Sequence, residues 1–203
     1  MAKKNEKHGE NALEIEIKVK ILSIEAMASA LEKLGAKFDC DLVHEDYYFD
    51  KPEKAGSFAR TDEALRLRVS RDLTKHIERH FLTYKGPKVD ATTKTRVEID
   101  VGVDDGQKVR AILKAAGFKE LIALIKERKS YHFEDISIML DKVQHLDDPY
   151  MEVEIVAENP AMLDATREKL FAFLQKLGIG RDASERKSYL ELVAARLTTS
   201  RKS

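Results

Sequence analysis

The sequence predicts an α+β protein: eight strands in a mainly antiparallel sheet, four helices packed on it, and a closed barrel favoured over an open sheet. Two observations set the class. Most strand-like segments follow one another too closely for parallel crossovers, which need a dozen or more residues. Four segments with helical periodicity interrupt them, bounded by capping and terminating residues. A third observation favours closure. Five of the eight strands carry charges on one face and aliphatics on the other, with acid-x-acid set against basic-x-basic. A solvated surface has no need of that pairing, whereas the lumen of a barrel holding an anion and a cation does. The helices would then cover the aliphatic faces from outside. The alternative, charged faces in water over a conventional core, stays open on periodicity alone.

Residues 13–21, LEIEIKVKI, alternate strictly. Glu14, Glu16, Lys18 and Lys20 share one face, because strand side chains switch sides at every residue. Adjacent carboxylates can share a divalent cation, and ammoniums a few Å further on can hold phosphate. This face reads as one wall of a site for a metal–polyphosphate complex. Ser23 begins a helix through Ile24, Met27, Ala28, Leu31 and Leu34, ended by Gly35. Residues 43–51 form a strand before a loop at 52–56. Residues 63–71 alternate, with Arg66 and Arg68 opposite Leu65, Leu67 and Val69. Residues 77–85 run into the Gly86-Pro87 turn. Residues 93–103 place Lys94, Arg96, Glu98 and Asp100 on one face. Asp104 and Gln107 form a capping box for a helix through Val109, Ile112 and Leu113 to Gly117. Residues 121–133 form a long strand with Lys126, Arg128 and His132 on one face, paired as a hairpin with 136–144. Residues 150–157 carry Glu152 and Glu154 on one face. Asn159-Pro160 opens a helix that ends near Gly178. Asp182 and Glu185 cap a last helix to Leu197. The pentapeptide ERKSY occurs at 127–131 and 185–189, once in an expected strand and once in an expected helix, and reads as coincidence.

The expected organisation is a single domain over 13–197, between loose tails at 1–12 and 198–203. A formal net charge of zero provides no global field for nucleic acid or an anionic membrane, so neither is expected as a partner. The single cysteine, Cys40, leaves no internal disulfide and fits a reducing compartment. The polar start lacks the apolar stretch of a signal peptide, and no apolar run is long enough to span a bilayer. The expectation is a cytoplasmic protein. The histidines show no metal-ligand spacing, and His132 is the one nearest the expected lumen. Cys40 is expected to be inert.

Several motifs in order resemble the CYTH superfamily, the triphosphate tunnel metalloenzymes. They are E-x-E-x-K at Glu14–Glu16–Lys18, DYYFD at 46–50, LRLR at 65–68, TYKGP at 83–87, RVE at 96–98, KERKSY at 126–131, LDKV at 140–143 and EVE at 152–154. Within that superfamily the set is most similar to the class IV (CyaB-type) adenylate cyclases. One departure is LDDPYMEVE at 146–154, where Asp147 replaces an expected glycine and the loop holds an extra residue.

The resemblance implies an eight-stranded antiparallel β-barrel, open at both ends, with a charged tunnel. It implies that Glu14, Glu16, Glu152 and Glu154, assisted by Asp141, hold one or two Mg2+ or Mn2+ ions. It implies triphosphate binding by Lys18, Arg66, Arg68, Lys85, Arg96, Lys126 and Arg128, to which the first strand adds Lys20. Lys18 is also a catalytic candidate. The implied reaction is conversion of ATP to cyclic AMP and pyrophosphate. Hydrolysis of tripolyphosphate or thiamine triphosphate is the alternative, with Tyr48 and Lys85 matching a tyrosine–lysine pair of the thiamine triphosphatase branch. A non-catalytic polyphosphate- or nucleotide-binding module is the third reading, disfavoured by the retained carboxylates. Many barrels of this kind pair, so a homodimer is an open expectation.

Overall fold

A computed structural model of the chain describes residues 13–89, 93–157 and 159–200. The expected tail at 1–12 lies outside the described residues, as does 201–203 of the expected tail at 198–203, whose residues 198–200 belong instead to the last helix. The strands are β1 (Leu13–Lys20), β2 (Lys37–Asp50), β3 (Ala64–Asp72), β4 (Ile77–Lys85), β5 (Arg96–Val103), β6 (Lys119–Phe133), β7 (Ile136–Val143) and β8 (Tyr150–Ala157). The helices are α1 (Ile24–Lys33), α2 (Gly106–Ala115), α3 (Leu163–Lys176) and α4 (Tyr189–Ser200). The strands close into a barrel in the order β1-β5-β4-β3-β2-β6-β7-β8. Every neighbouring pair is antiparallel.

Alternation fixes which face is which. In β1, Ile15, Ile17 and Val19 are fully buried on the outside of the barrel, in one cluster with Leu170, Phe171 and Leu174 of α3 and Leu31 of α1. Each such side chain contributes about 1.5–3 kcal/mol by leaving water. On the opposite flank, Leu67 of β3 clusters with Phe58 and packs against Val109 and Leu113 of α2. The charged faces therefore point inward, as the sign pattern predicts. The cover is incomplete at β5, whose outward Val97, Ile99 and Val101 remain exposed.

Several boundaries differ from expectation for identifiable reasons. β2 begins six residues early, because Phe38 pairs with Tyr131 across a bulge before the regular ladder starts. β5 begins at Arg96, since Lys94 instead donates its backbone N–H to the carbonyl of Glu16, 3.0 Å away. The N-cap of α2 is Asp105, not Asp104; its carboxylate accepts from the Lys108 N–H at 2.9 Å. At the last helix the expected Asp182/Glu185 box is replaced by Ser188 and Glu191. The Ser188 N–H donates to the Glu191 carboxylate (2.6 Å) and the Glu191 N–H to the Ser188 hydroxyl (3.2 Å), a reciprocal capping box. Asp182 instead sits in a 3-10 turn, and the chain at 184–188 runs along β1, with the Glu185 N–H on the Lys18 carbonyl. Helix α4 continues to Ser200, past the expected end. Among the described residues, no helix is long and apolar enough to cross a membrane.

Candidate active site

Directly opposed residues of an antiparallel pair share a face. The register therefore gathers the inward side chains around the barrel: Glu16 opposite Glu154 and Lys18 opposite Glu152, Glu14 opposite Arg96, and Lys85 opposite Glu98. It continues with Arg66 opposite Tyr48 and Arg68 opposite Asp46, His44 opposite Lys126, and Arg128 opposite Asp141. Charge this deep survives only in pairs or with a bound counter-ion.

Two carboxylate pairs organise the lumen. Glu16 and Glu152 share a side-chain hydrogen bond, and Lys94 Nζ lies 2.5 Å from Glu16 Oε1 and 3.5 Å from Glu152 Oε1. Burial, and then Glu152, push the Glu16 carboxyl up. Burial works the same way on Glu152, but Lys94, Lys126 and Arg128 overcome it and hold that carboxyl well below the usual range. The second pair is Glu14 and Glu98, also joined by a side-chain hydrogen bond. Burial, then Glu154 and Glu98, raise Glu14 strongly. Burial opposes ionisation of Glu98 too, yet Lys85, in direct ion-pair contact, brings it down to about 2. In each pair one carboxyl keeps its proton more readily and donates it to its ionised neighbour.

The cations stand around these pairs. Arg128 forks onto Asp141 at 2.6 and 2.5 Å and reaches Glu152 at 2.6 Å. Arg68 forks onto Asp46 at 2.6 and 2.8 Å. Arg66 lies 3.9 Å from Asp46 and donates to the Thr83 hydroxyl at 3.0 Å. Burial, then Arg128, lower Lys126 to about 8. Burial, then Lys94, lower Lys18 to about 7. Tyr48 faces this group, and burial followed by Asp46 raises its phenol.

One end of the lumen is closed by the chain leading into α4. The Tyr189 hydroxyl donates to Asp141 at 2.8 Å, and its ring lies 4.2 Å from Lys18 Nζ. The ammonium of Lys18 donates to the Lys187 carbonyl. Tyr189 meets Tyr150 edge-on and sits in a cluster with Tyr48, Leu124 and Val193. The expectation of a tunnel open at both ends is therefore corrected at this end. A single tyrosine both fills the mouth apolarly and satisfies the buried Asp141.

The structure brings the named acids and bases together on the lumen wall, with one exception. Lys20 lies at the rim, 59% exposed, and pairs with Asp148. Asp141 carries Arg128, Tyr189 and Lys126. His132 is also away from the lumen, half-exposed and 2.7 Å from Asp39. Sequence reasoning placed Glu98 on the inner face without giving it a role, and missed Lys94, His44, Asp46 and Tyr189 as lumen residues. Lys94 and Glu98 stood on a charged face already noted, and Asp46 opened the matched DYYFD strand. Tyr189 read as helix packing and gave no further signal.

Among the described residues no three acids or histidines are already clustered for a metal. The two carboxylate pairs fit one all the same, because each brings two acidic side chains into contact, and a shared cation would let both ionise. Phosphate also fits. Among the described residues, the buried side-chain atoms without a hydrogen-bond partner are His44 Nδ1, Arg66 Nε and Arg96 Nε, all on the lumen wall. Buried polar atoms are seldom left so.

A closed antiparallel barrel with helices outside and opposed carboxylates and basic groups inside defines a triphosphate-tunnel type of protein. A CYTH domain profile matches residues 12–189, and the chain belongs to the CYTH family. It is 40% identical over 180 residues to the candidate adenylate cyclase MJ0240 of Methanocaldococcus jannaschii, covering 89% of this chain and 98% of that one. It is 26% identical over 192 residues to adenylate cyclase CyaB of Aeromonas hydrophila, covering 94% of each. The PH1819 protein of Pyrococcus horikoshii superposes with a TM-score of 0.81 at 34% identity, over 90% of this chain and 99% of that one.

Proposed function

We propose that the protein is a metal-dependent enzyme of triphosphates, acting on ATP as a class IV adenylate cyclase. The observation that carries the triphosphate reading is the lumen. Glu14, Glu16, Glu152 and Glu154 stand on adjacent β1 and β8, facing the arginines and lysines of β3, β4 and β6. The two relatives bearing cyclase names favour cyclisation over hydrolysis.

In this reading Glu16 with Glu152, and Glu14 with its neighbours Glu98 and Glu154, would hold Mg2+ or Mn2+. When bound, such an ion supplies charge neutralisation and acidifies the attacking hydroxyl. The protein's own groups do the rest. Arg66, Arg68 and Arg128 present planar forks to phosphate oxygens, while Lys85 and Lys126 act as point charges. They hold the α-phosphorus in line with the ribose 3′-oxygen and stabilise charge on the departing pyrophosphate. A bond forms from the 3′-oxygen to the α-phosphorus, and the bond from the α-phosphorus to the bridging oxygen breaks. The Nζ of Lys18, poised at about 7, is suited to take the hydroxyl proton. Tyr189 keeps water from that end of the chamber.

Hydrolysis is the second reading, because Tyr48 and Lys85 both face the lumen, and Lys85 is among the charges acting on the Tyr48 phenol. Product analysis decides. ATP with Mn2+ should give cyclic AMP and pyrophosphate; inorganic phosphate from ATP or tripolyphosphate would move the assignment to the triphosphatases. No product from either substrate would sink both.

A further inference from the structure

Lys94 precedes β5, on the far side of β1 from β8, yet its side chain crosses to both carboxylates of the central pair. Its Nζ is 2.5 Å from Glu16 Oε1 and 3.5 Å from Glu152 Oε1, and the residue is 6% exposed. Arg128 takes the other oxygen of Glu152. The Lys94 backbone is pinned as well, its N–H on the Glu16 carbonyl at 3.0 Å. The ammonium thus sits where a divalent ion bridging these two carboxylates would sit. A divalent ion held by those oxygens would leave no room for a second cation on the same lone pairs. The backbone anchor keeps the residue in place while its flexible four-carbon stem is free to turn. The nearest resting place is the face of Tyr189, whose ring centroid is 6.0 Å from Nζ, beside Lys18. That is the basic end of the chamber.

We propose that Lys94 is a positioning residue that links metal loading to triphosphate capture. In the metal-free protein its ammonium holds the Glu16–Glu152 pair together. Metal binding displaces it toward Lys18 and Tyr189, where it becomes a phosphate ligand. The proposal rests on the metal–triphosphate reading above. It requires metal and triphosphate to bind with positive coupling, each raising affinity for the other by the same factor.

The test measures Mn2+ binding by electron paramagnetic resonance, without nucleotide, in wild type and Lys94→Met. The variant should bind Mn2+ at least tenfold more tightly, because the internal competitor is gone. With saturating Mg2+ it should bind tripolyphosphate at least tenfold more weakly. Equal or weaker Mn2+ binding overturns the proposal, and so does unchanged tripolyphosphate affinity. Wild-type protein that binds no Mn2+ would remove the metal reading itself, which separates the two failures. A wild-type crystal grown with Mn2+ answers without relying on the variant's folding. Lys94 Nζ more than 4 Å from Glu16, an estimate of roughly the outer limit of an ion pair, supports displacement. Lys94 still on Glu16 beside a seated ion refutes it.

Discussion

Replacing Glu14 by glutamine should stabilise the metal-free protein while destroying its metal-dependent turnover. Glu14 faces the lumen from β1, where desolvation first, then Glu154, Glu98 and Glu16, oppose its ionisation and Lys85 favours it. Two carboxylates about 4 Å apart repel by about 4 kcal/mol at an effective dielectric near 20. Proton sharing with Glu98 and the charge of Lys85 relieve most of that, leaving a penalty of about 1–3 kcal/mol. For a chain of this size, that corresponds to a rise of roughly 3–8 °C in Tm. The sign depends on pH. A carboxyl raised in the folded state contributes stability that is fully present below its unfolded pKa and lost as pH rises through the folded value. The advantage of Glu14→Gln should therefore grow as pH rises from 4 to 8 and be smallest near pH 4, where the folded chains differ least in charge at this position. Thermal denaturation in EDTA at the two pH values reads the difference, and Mn2+ should then raise the wild-type Tm more than the variant's. A variant no more stable at pH 8, or equally advantaged at pH 4, refutes the repulsion argument. Full turnover with ATP would remove Glu14 from the metal site.

Glu16→Gln should act in the same direction in EDTA but more weakly, because burial and Glu152 raise that carboxyl while Lys94 opposes them; chemical denaturation checks it, and a clearly destabilised variant would show that the Lys94 ion pair dominates. Tyr189→Phe removes the 2.8 Å hydrogen bond to Asp141 but keeps the ring over Lys18, so a loss of about 1–2 kcal/mol is expected from the same measurement. Lys20→Ala should leave tripolyphosphate affinity unchanged in calorimetry, since that side chain is exposed and engaged by Asp148 at the rim. Lys18 and Lys126, at about 7 and about 8 when the chamber is empty, are partly neutral at pH 8. Binding a polyanion should protonate Lys126, so calorimetry in buffers of different ionisation enthalpy should show proton uptake, with affinity falling as pH rises further.

Much of the barrel was legible because its signals are local. β4 and β8 were bounded correctly from alternation and turn residues alone, and β3 and β7 to within a residue. The inward direction of the charges followed from their signs, since no aqueous surface requires Glu14 and Glu16 beside Lys18. What stayed hidden depends on contacts far apart in sequence. Strand periodicity put Lys94 on one face with Arg96 and Glu98, but nothing local shows that the residue leaves the ladder and bonds to Glu16 of β1. Tyr189 lies at the start of a helix whose pattern is amphipathic, and nothing local says that its hydroxyl meets Asp141 from 48 residues away. Lys20 was misplaced for the converse reason: alternation gives the face of a strand but not where the barrel wall ends.

The arrangement of charge carries a functional argument of its own. Arg128 with Asp141 and Arg68 with Asp46 are matched forks that would persist in any state, and they set the shape of the wall. The remaining groups are mismatched in a consistent direction. Glu14 and Glu16 are raised toward neutrality and Lys18 and Lys126 lowered toward it, so burial disfavours the charge of both signs at once. A structural ion-pair network would shift them the other way, because pairing favours the charged forms. Counter-charge reaches them only in part: Glu16 has Lys94 at 2.5 Å and Lys126 has Asp141 at 3.5 Å, yet burial outweighs both. A metal–triphosphate complex would bring a further cation to the acids and a further anion to the lysines in one molecule. The folding energy withheld by this incompletely compensated charge would then become available as binding energy when that ligand enters.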